Sequence, residues 1–193
     1  LGELLYACNE NRLLLYKGFG EKTQQNIKES IEYYLSNQGS YLYAQIENHA
    51  AEADTKIKNV FPLNQFEFAG DLRRHLETID KLEWVTTASQ QQIITFFKQQ
   101  EYKIIDEGET TTKLKGTENL LLVFYHTTQE KFYQTLFEKS CSEDFLKEWK
   151  NMFPFKNSYN AEEEIFINAR IDIIPPYLRE SEKIILTAQQ HKL

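Results

Sequence analysis

Cysteine is nearly missing: 193 residues hold two, Cys8 and Cys141, with no C-x-x-C pair and no cysteine–histidine spacing that could frame a zinc site. That excludes a disulfide scaffold, and a reducing cytoplasmic setting with two incidental thiols is expected. Nowhere do the roughly 20 consecutive apolar residues of a membrane span occur. The start, Leu1-Gly2-Glu3, has neither a basic segment nor a signal-type apolar run, so no membrane association is expected. A first residue other than methionine points to a piece of a longer protein. Walker loop, Rossmann fingerprint, Ser-His-Asp and Cys-His arrangements are all missing. His49, His75, His126 and His191 are scattered without ligand spacing. Positive charge is also short: the net charge is −7, and the acidic excess is spread along the chain. Lys and Arg contacts to phosphate supply most sequence-independent nucleic-acid affinity, so any DNA contact must be local and backbone-driven or must depend on parts outside this chain.

What remains is the composition of an ordinary globular protein, long enough for one large domain or two small ones. Ile27, Ile31, Tyr34 and Leu35 follow helical spacing and predict a helix reaching about Asn37. Gly18-Phe19-Gly20 breaks the pattern just before it. A second helix is predicted over 41–57 and Phe61-Pro62 ends it. Alternation at Phe66, Phe68 and Ala69 predicts a strand, 70–78 a short helix, and 82–86 the next strand. A helix over 90–99 and strands over 102–107, 110–115 and 120–125 follow, which implies a mixed sheet backed by helices. From Thr128 the spacing is helical again. Ser142 is an expected N-cap followed by first-turn acids, and Asn160 an expected cap for a further helix. Phe96, Phe97, Phe132, Phe137, Phe145 and Trp149 sit at helical spacing and are read as core, not as a base-stacking platform. Glu107-Gly108-Glu109 and Glu162-Glu163-Glu164 are read as a strand turn and a helix start rather than metal sites.

Three motifs carry chemistry. Leu14 to Thr23 contains a leucine-rich turn followed by Gly-h-Gly-x-Lys-Thr; Ala69 to Val85 contains Gly-x-Leu-Arg-Arg-x-x-Glu-Thr; and 175–180 reads Pro-Pro-Tyr-Leu-Arg-Glu. Together they resemble the bacterial branch of family X DNA polymerases over nearly the whole chain. The resemblance implies an α+β fold: helical fingers with a helix-hairpin-helix over 1–60, a nucleotidyltransferase-like palm with a mixed sheet over 61–128, a small helical thumb-like part over 129–172, and a linker over 173–193. In the family, that linker leads to an attached C-terminal phosphoesterase domain. DNA, gapped or with a 3′ end, is the implied partner.

The same resemblance marks what has changed. The family's palm carries Gly-Ser-Leu-Arg-Arg-Gly, then an Asp-x-Asp pair on the next strand; here Asp71 replaces the serine, His75 the second glycine, and Lys81 and Glu83 the two aspartates. Carboxylates at i, i+2 on a strand share a face and can clamp a divalent ion. An ammonium offers donors and no lone pair, so Lys81 cannot be a ligand. The third aspartate falls at Leu120, or at Asn119 or Leu121 if the register slips by one. The family's Tyr-Phe-Thr-Gly-Ser is replaced by Leu136 to Ser140. No catalytic residue and no divalent cofactor are therefore expected. Gly70, Arg73 and Arg74 remain as phosphate candidates, with pairing to Glu77 or Asp80 the alternative for the arginines. Lys17, Gly18, Gly20, Lys22 and Thr23 are the DNA-binding candidates, and the carbonyls of Leu14, Tyr16 and Phe19 could hold a monovalent cation; a simple tight turn between packed helices is the alternative. The leading expectation is a polymerase-inactive module that binds and positions DNA. Nucleotidyl transfer with Mg²⁺ held by Glu83 and a substitute carboxylate at Glu67, Asp71 or Asp80 is a second expectation, and a protein-interaction module without a DNA role a third.

Overall fold

In the computed structural model, residues 1–36, 39–100, 102–116 and 119–193 are described, and the chain divides into two compact units, Leu1–Gly39 and Ser40–Leu193. Two helices build the first unit, α1 (Gly2–Asn9) and α2 (Glu21–Ser36), with a 3-10 turn at Arg12–Leu15 between them. Asn37, where the first predicted helix was expected to end, lies outside the described residues. Gln24, buried on α2, donates to the Asn11 side chain at 2.7 Å and ties the helix to the turn before it.

The second unit is α+β. Its mixed five-stranded sheet has the order β2 (Phe66–Ala69), β4 (Lys81–Thr86), β7 (Leu121–His126), β6 (Thr111–Lys115), β5 (Lys103–Glu107). The β4–β7 pair is parallel and all other neighbours are antiparallel. One face is covered by α3 (Tyr43–Val60) and α5 (Gln90–Lys98), whose Ile46, Ala50, Ile57, Ile93 and Phe97 pack on Leu82, Trp84, Leu122 and Phe124. Trp84 is fully buried there, and its indole N–H donates to Asp54 at 3.0 Å, so the one polar atom of that ring is satisfied. On the other face Ala69 and Val85 meet Phe132 and Leu136 of α6 (Phe132–Glu138). A second core follows, in which α7 (Glu143–Met152), α8 (Glu163–Ala169) and α9 (Lys183–Gln189) gather around Phe137, Trp149, Phe166 and Ile185.

Several expectations need correction. The second helix starts at Tyr43, because Tyr41–Leu42 forms a short strand, β1, paired antiparallel with β3 (Thr78–Ile79). Since α3 buries its apolar stripe on the sheet, the compact division falls at Gly39 rather than at residue 60. The helix expected over 70–78 lasts only Gly70–Arg73 (α4): His75 takes a left-handed φ of 58°, which turns the chain into β3. Residues 173–193, expected as a linker, pack into the second core. Ile174, Ile185 and Ala188 are buried in the second core, and Arg179 is 1% exposed. Ser142 caps α7 as expected, its hydroxyl accepting from Phe145 N–H at 3.2 Å. Asn160 does not cap α8; instead its backbone N–H and side-chain amide donate to the Glu164 carboxylate. No helix among the described residues is long and apolar enough to cross a membrane.

Candidate functional site

Alternation along β4 puts Lys81 and Glu83 on one face of the sheet and Leu82 and Trp84 on the other. The face shared by Lys81 and Glu83 also carries Ala69 of β2, paired with Glu83 across the ladder, and Tyr125 of β7. Glu83 is buried, and its Oε1 accepts from Lys81 Nζ at 2.9 Å and from the Tyr125 hydroxyl at 2.6 Å. Burial raises the Tyr125 phenol's pKa first, and the Glu83 carboxylate raises it further by its charge and by accepting the proton; Asp71 adds to the same field. The phenol is thus held as a donor.

Gly70 closes the site from above. Its φ is +62°, and a Cβ there would stand 1.6 Å from Glu83 Oε2. The carboxylate fills the space that a side chain would take, so glycine is required twice, for the left-handed backbone and for the close approach. Gly70 N–H donates to the Lys139 carbonyl at 2.8 Å, and the Lys139 ammonium lies over the Tyr125 ring at 4.5 Å from its centre. The result is a buried carboxylate matched by an ammonium and a phenol. Burying such a group costs several kcal/mol, and removing one of its partners costs of order 3–5 kcal/mol.

Both arginines of the turn are held internally. Arg73 forks onto Glu162, Nη1 to Oε1 at 2.9 Å and Nη2 to Oε2 at 2.7 Å, and Nη1 also reaches the Ser140 hydroxyl at 2.9 Å. Glu162 Oε1 accepts from Arg179 Nη1 as well, at 2.8 Å. Arg179 Nε donates to the Ile174 carbonyl at 2.8 Å, and the guanidinium packs over the rings of Phe137 and Phe166. Burial opposes ionisation of Glu162, but the hydrogen bond from Arg73 and the charges of Arg179 and Arg73 outweigh it and hold the carboxyl below its ordinary range. Arg74 donates from Nη2 to Asp71 at 2.6 Å and from Nη1 to both Glu180 oxygens at 2.8 and 2.9 Å, while its buried Nε has no partner. The expected partners Glu77 and Asp80 take no part in these pairs.

Leu120 does not line this site. It precedes β7 and, with Leu82 and Leu122, borders a cleft of about 330 Å³ on the opposite face. The neighbour of Lys81 in the parallel register is Leu121, with Val123 beside Glu83. A one-residue offset reverses the face, so Leu121 rather than Leu120 shares the face of Lys81 and Glu83. Of the substitute carboxylates, Asp71 is engaged by Arg74 and Glu67 approaches Lys58 at 3.8 Å. Among the described residues no group of three or more His, Cys, Asp or Glu is arranged to hold a metal ion.

In the first unit, Lys17, Gly18 and Gly20, on the turn between Arg12–Leu15 and α2, and Lys22 and Thr23, in the first turn of α2, are all exposed. Gly18 has φ +100°, with nothing within 4 Å of a Cβ built on it. The Tyr16 carbonyl accepts from Phe19 N–H at 3.1 Å.

The tyrosine that donates to Glu83 and the carboxylates that occupy the arginines were not expected from sequence. Glu162 and Glu180 lie 89 and 106 residues from the arginines they bind. A comparison with models of known protein families gives no match, and a search of curated proteins gives none either.

Proposed function

We propose that this chain is a family X polymerase-like core whose nucleotidyl-transfer site has been replaced by an internal ion pair and whose role is to bind and position DNA. The observation that carries it is the Lys81 ammonium 2.9 Å from Glu83, on the strand where the resemblance puts the two metal-binding aspartates. An ammonium there supplies the positive charge that a divalent ion would otherwise bring, and it supplies no ligand atom. Arg74, the resemblance's triphosphate contact, is matched by Asp71 and Glu180, so a triphosphate would have to displace two carboxylates. DNA contact falls to the exposed Gly18–Gly20 turn, where backbone amides and the two lysines can meet a phosphate without a broadly basic surface. Nucleotidyl transfer through substitute carboxylates fits less well, because Asp71 and Glu83 are already engaged by Arg74, Lys81 and Tyr125.

Two experiments test the reading. Calorimetric titration with Mg²⁺ and a deoxynucleoside triphosphate should give no binding heat, and a gap-filling reaction no extension; incorporation of nucleotide refutes the inactive site. Gapped DNA should shift in a salt-dependent manner, and a Lys17→Glu, Lys22→Glu double variant should abolish that shift. A shift unchanged by the double variant removes the turn from the proposal.

A further inference from the structure

We propose that the ring stack of Tyr43, His75 and Tyr177 is a docking surface for an arginine-bearing segment of a basic protein partner. Three separated segments of the larger unit supply the rings: the start of α3, the turn after α4, and the 3-10 turn Pro176–Leu178. The His75 ring lies 5.1 Å from Tyr43 and 6.1 Å from Tyr177, the second pair nearly parallel at 25°. Neither His75 nor Tyr177 is covered: His75 is exposed and Tyr177 is 53% exposed, with Leu42 beside them at 47%. His75 holds the left-handed backbone conformation that favours glycine, so a ring is carried at a position that disfavours any side chain.

The charge around the stack selects the occupant. Glu77 is exposed, and its carbonyl accepts from Tyr43 N–H at 3.0 Å. Glu47 lies one turn along α3, close enough that its charge adds to burial in raising the Tyr43 phenol's pKa. Neither carboxylate has a cationic partner among the described residues. Arg74, the residue before His75, is neutralised by Asp71 and Glu180. The surface is therefore aromatic and anionic. A phosphate backbone would be repelled from it, whereas a cation is drawn both to ring faces and to carboxylates. A guanidinium fits better than an ammonium because it is planar, stacks on rings, and can fork onto a carboxylate at the same time. This proposal stands apart from the DNA role assigned to the first unit.

The test uses the full chain and three labelled probes read by fluorescence anisotropy: a tetra-arginine peptide, a tetra-lysine peptide and an oligothymidylate. Tetra-arginine should bind more tightly than tetra-lysine. Tyr177→Ala should weaken it about two- to fivefold, the effect of an exposed cation–ring contact, and Tyr177→Phe should restore it. A Glu47→Gln, Glu77→Gln pair, altering surface carboxylates only, should weaken binding and flatten its salt dependence. Binding that ignores Tyr177→Ala is general attraction to a chain of charge −7 and overturns the proposal. So does failure of tetra-arginine to bind, or oligothymidylate binding that depends on Tyr177.

Discussion

Replacing Glu162 by alanine should be among the most damaging single substitutions in the larger unit. The carboxylate accepts three guanidinium bonds, two from Arg73 and one from Arg179, at 2.7–2.9 Å. Its removal leaves Arg179, 1% exposed, with the Ile174 carbonyl and two ring faces but no counter-charge. Breaking a buried ion pair on one side costs about 3–5 kcal/mol. Arg73 is 23% exposed at its side chain and can turn toward water, which puts the expected loss near the lower figure, about 3 kcal/mol. For a chain of this size that corresponds to a fall in Tm of roughly 6–12 °C. Glu162→Gln keeps one acceptor and should lose about 1.5–3 kcal/mol. Acid adds an independent reading. The folded carboxyl is held below its ordinary value of 4.5, so as pH falls the unfolded chain takes up the proton first. The stabilisation is complete above that ordinary value and disappears as pH drops through the folded one. Urea unfolding followed by tryptophan fluorescence, at neutral pH and at a series of acid values, measures both effects. If Glu162→Gln unfolds within about 0.5 kcal/mol of the parent and with the same acid sensitivity, the three-way pairing is not what holds the turn to the second core.

Gly70→Ala forces a Cβ to 1.6 Å from Glu83 Oε2 at a left-handed φ, and should destabilise the chain by about 2 kcal/mol or more in urea unfolding. Parental stability would mean that the Glu83 side chain is free to leave. Tyr125→Phe removes a hydrogen bond to a buried carboxylate and should cost about 1.5–3 kcal/mol; because the folded phenol's pKa is raised, absorbance titration of the parent should show one tyrosine that resists ionisation until the chain unfolds. Lys81→Asp puts two carboxylates at i, i+2 on one face. The variant should be less stable than the parent in a chelator and recover with millimolar Mg²⁺ in a thermal melt, while the parent shows no such response. Equal Mg²⁺ responses would count against the ammonium standing in the cation's position.

Much of the sheet was legible because alternation at Phe66, Phe68 and Ala69 and the short apolar runs of β4 and β7 reflect strands with at least one face buried. Lys81 and Glu83 could be put on a common face for the same reason. The face of Leu120 could not, since it depends on whether the strand begins at 120 or 121, and an offset of one residue exchanges core for site. The truncation of α4 was hidden as well: nothing in Arg-Arg-His-Leu announces a left-handed histidine, and the pairing of β1 with β3 that enforces the turn joins residues far apart in sequence. Arg73, Arg74 and Arg179 stood out individually as guanidinium groups, but which carboxylate each would meet is a tertiary fact, decided by how α8 and the 175–180 segment pack against the turn.

The span of those contacts bears on how the chain matures on the ribosome. Strands β2 and β4 emerge early, with the Gly70–Arg74 turn between them, yet the groups that latch the turn are made roughly 90–110 residues later, at Glu162, Arg179 and Glu180. Until they arrive, Arg73 lacks the carboxylate onto which it forks. Native assembly of the turn therefore waits until residues 162–180 have been made, and an arrest peptide inserted upstream of position 179 would catch the sheet side unlatched.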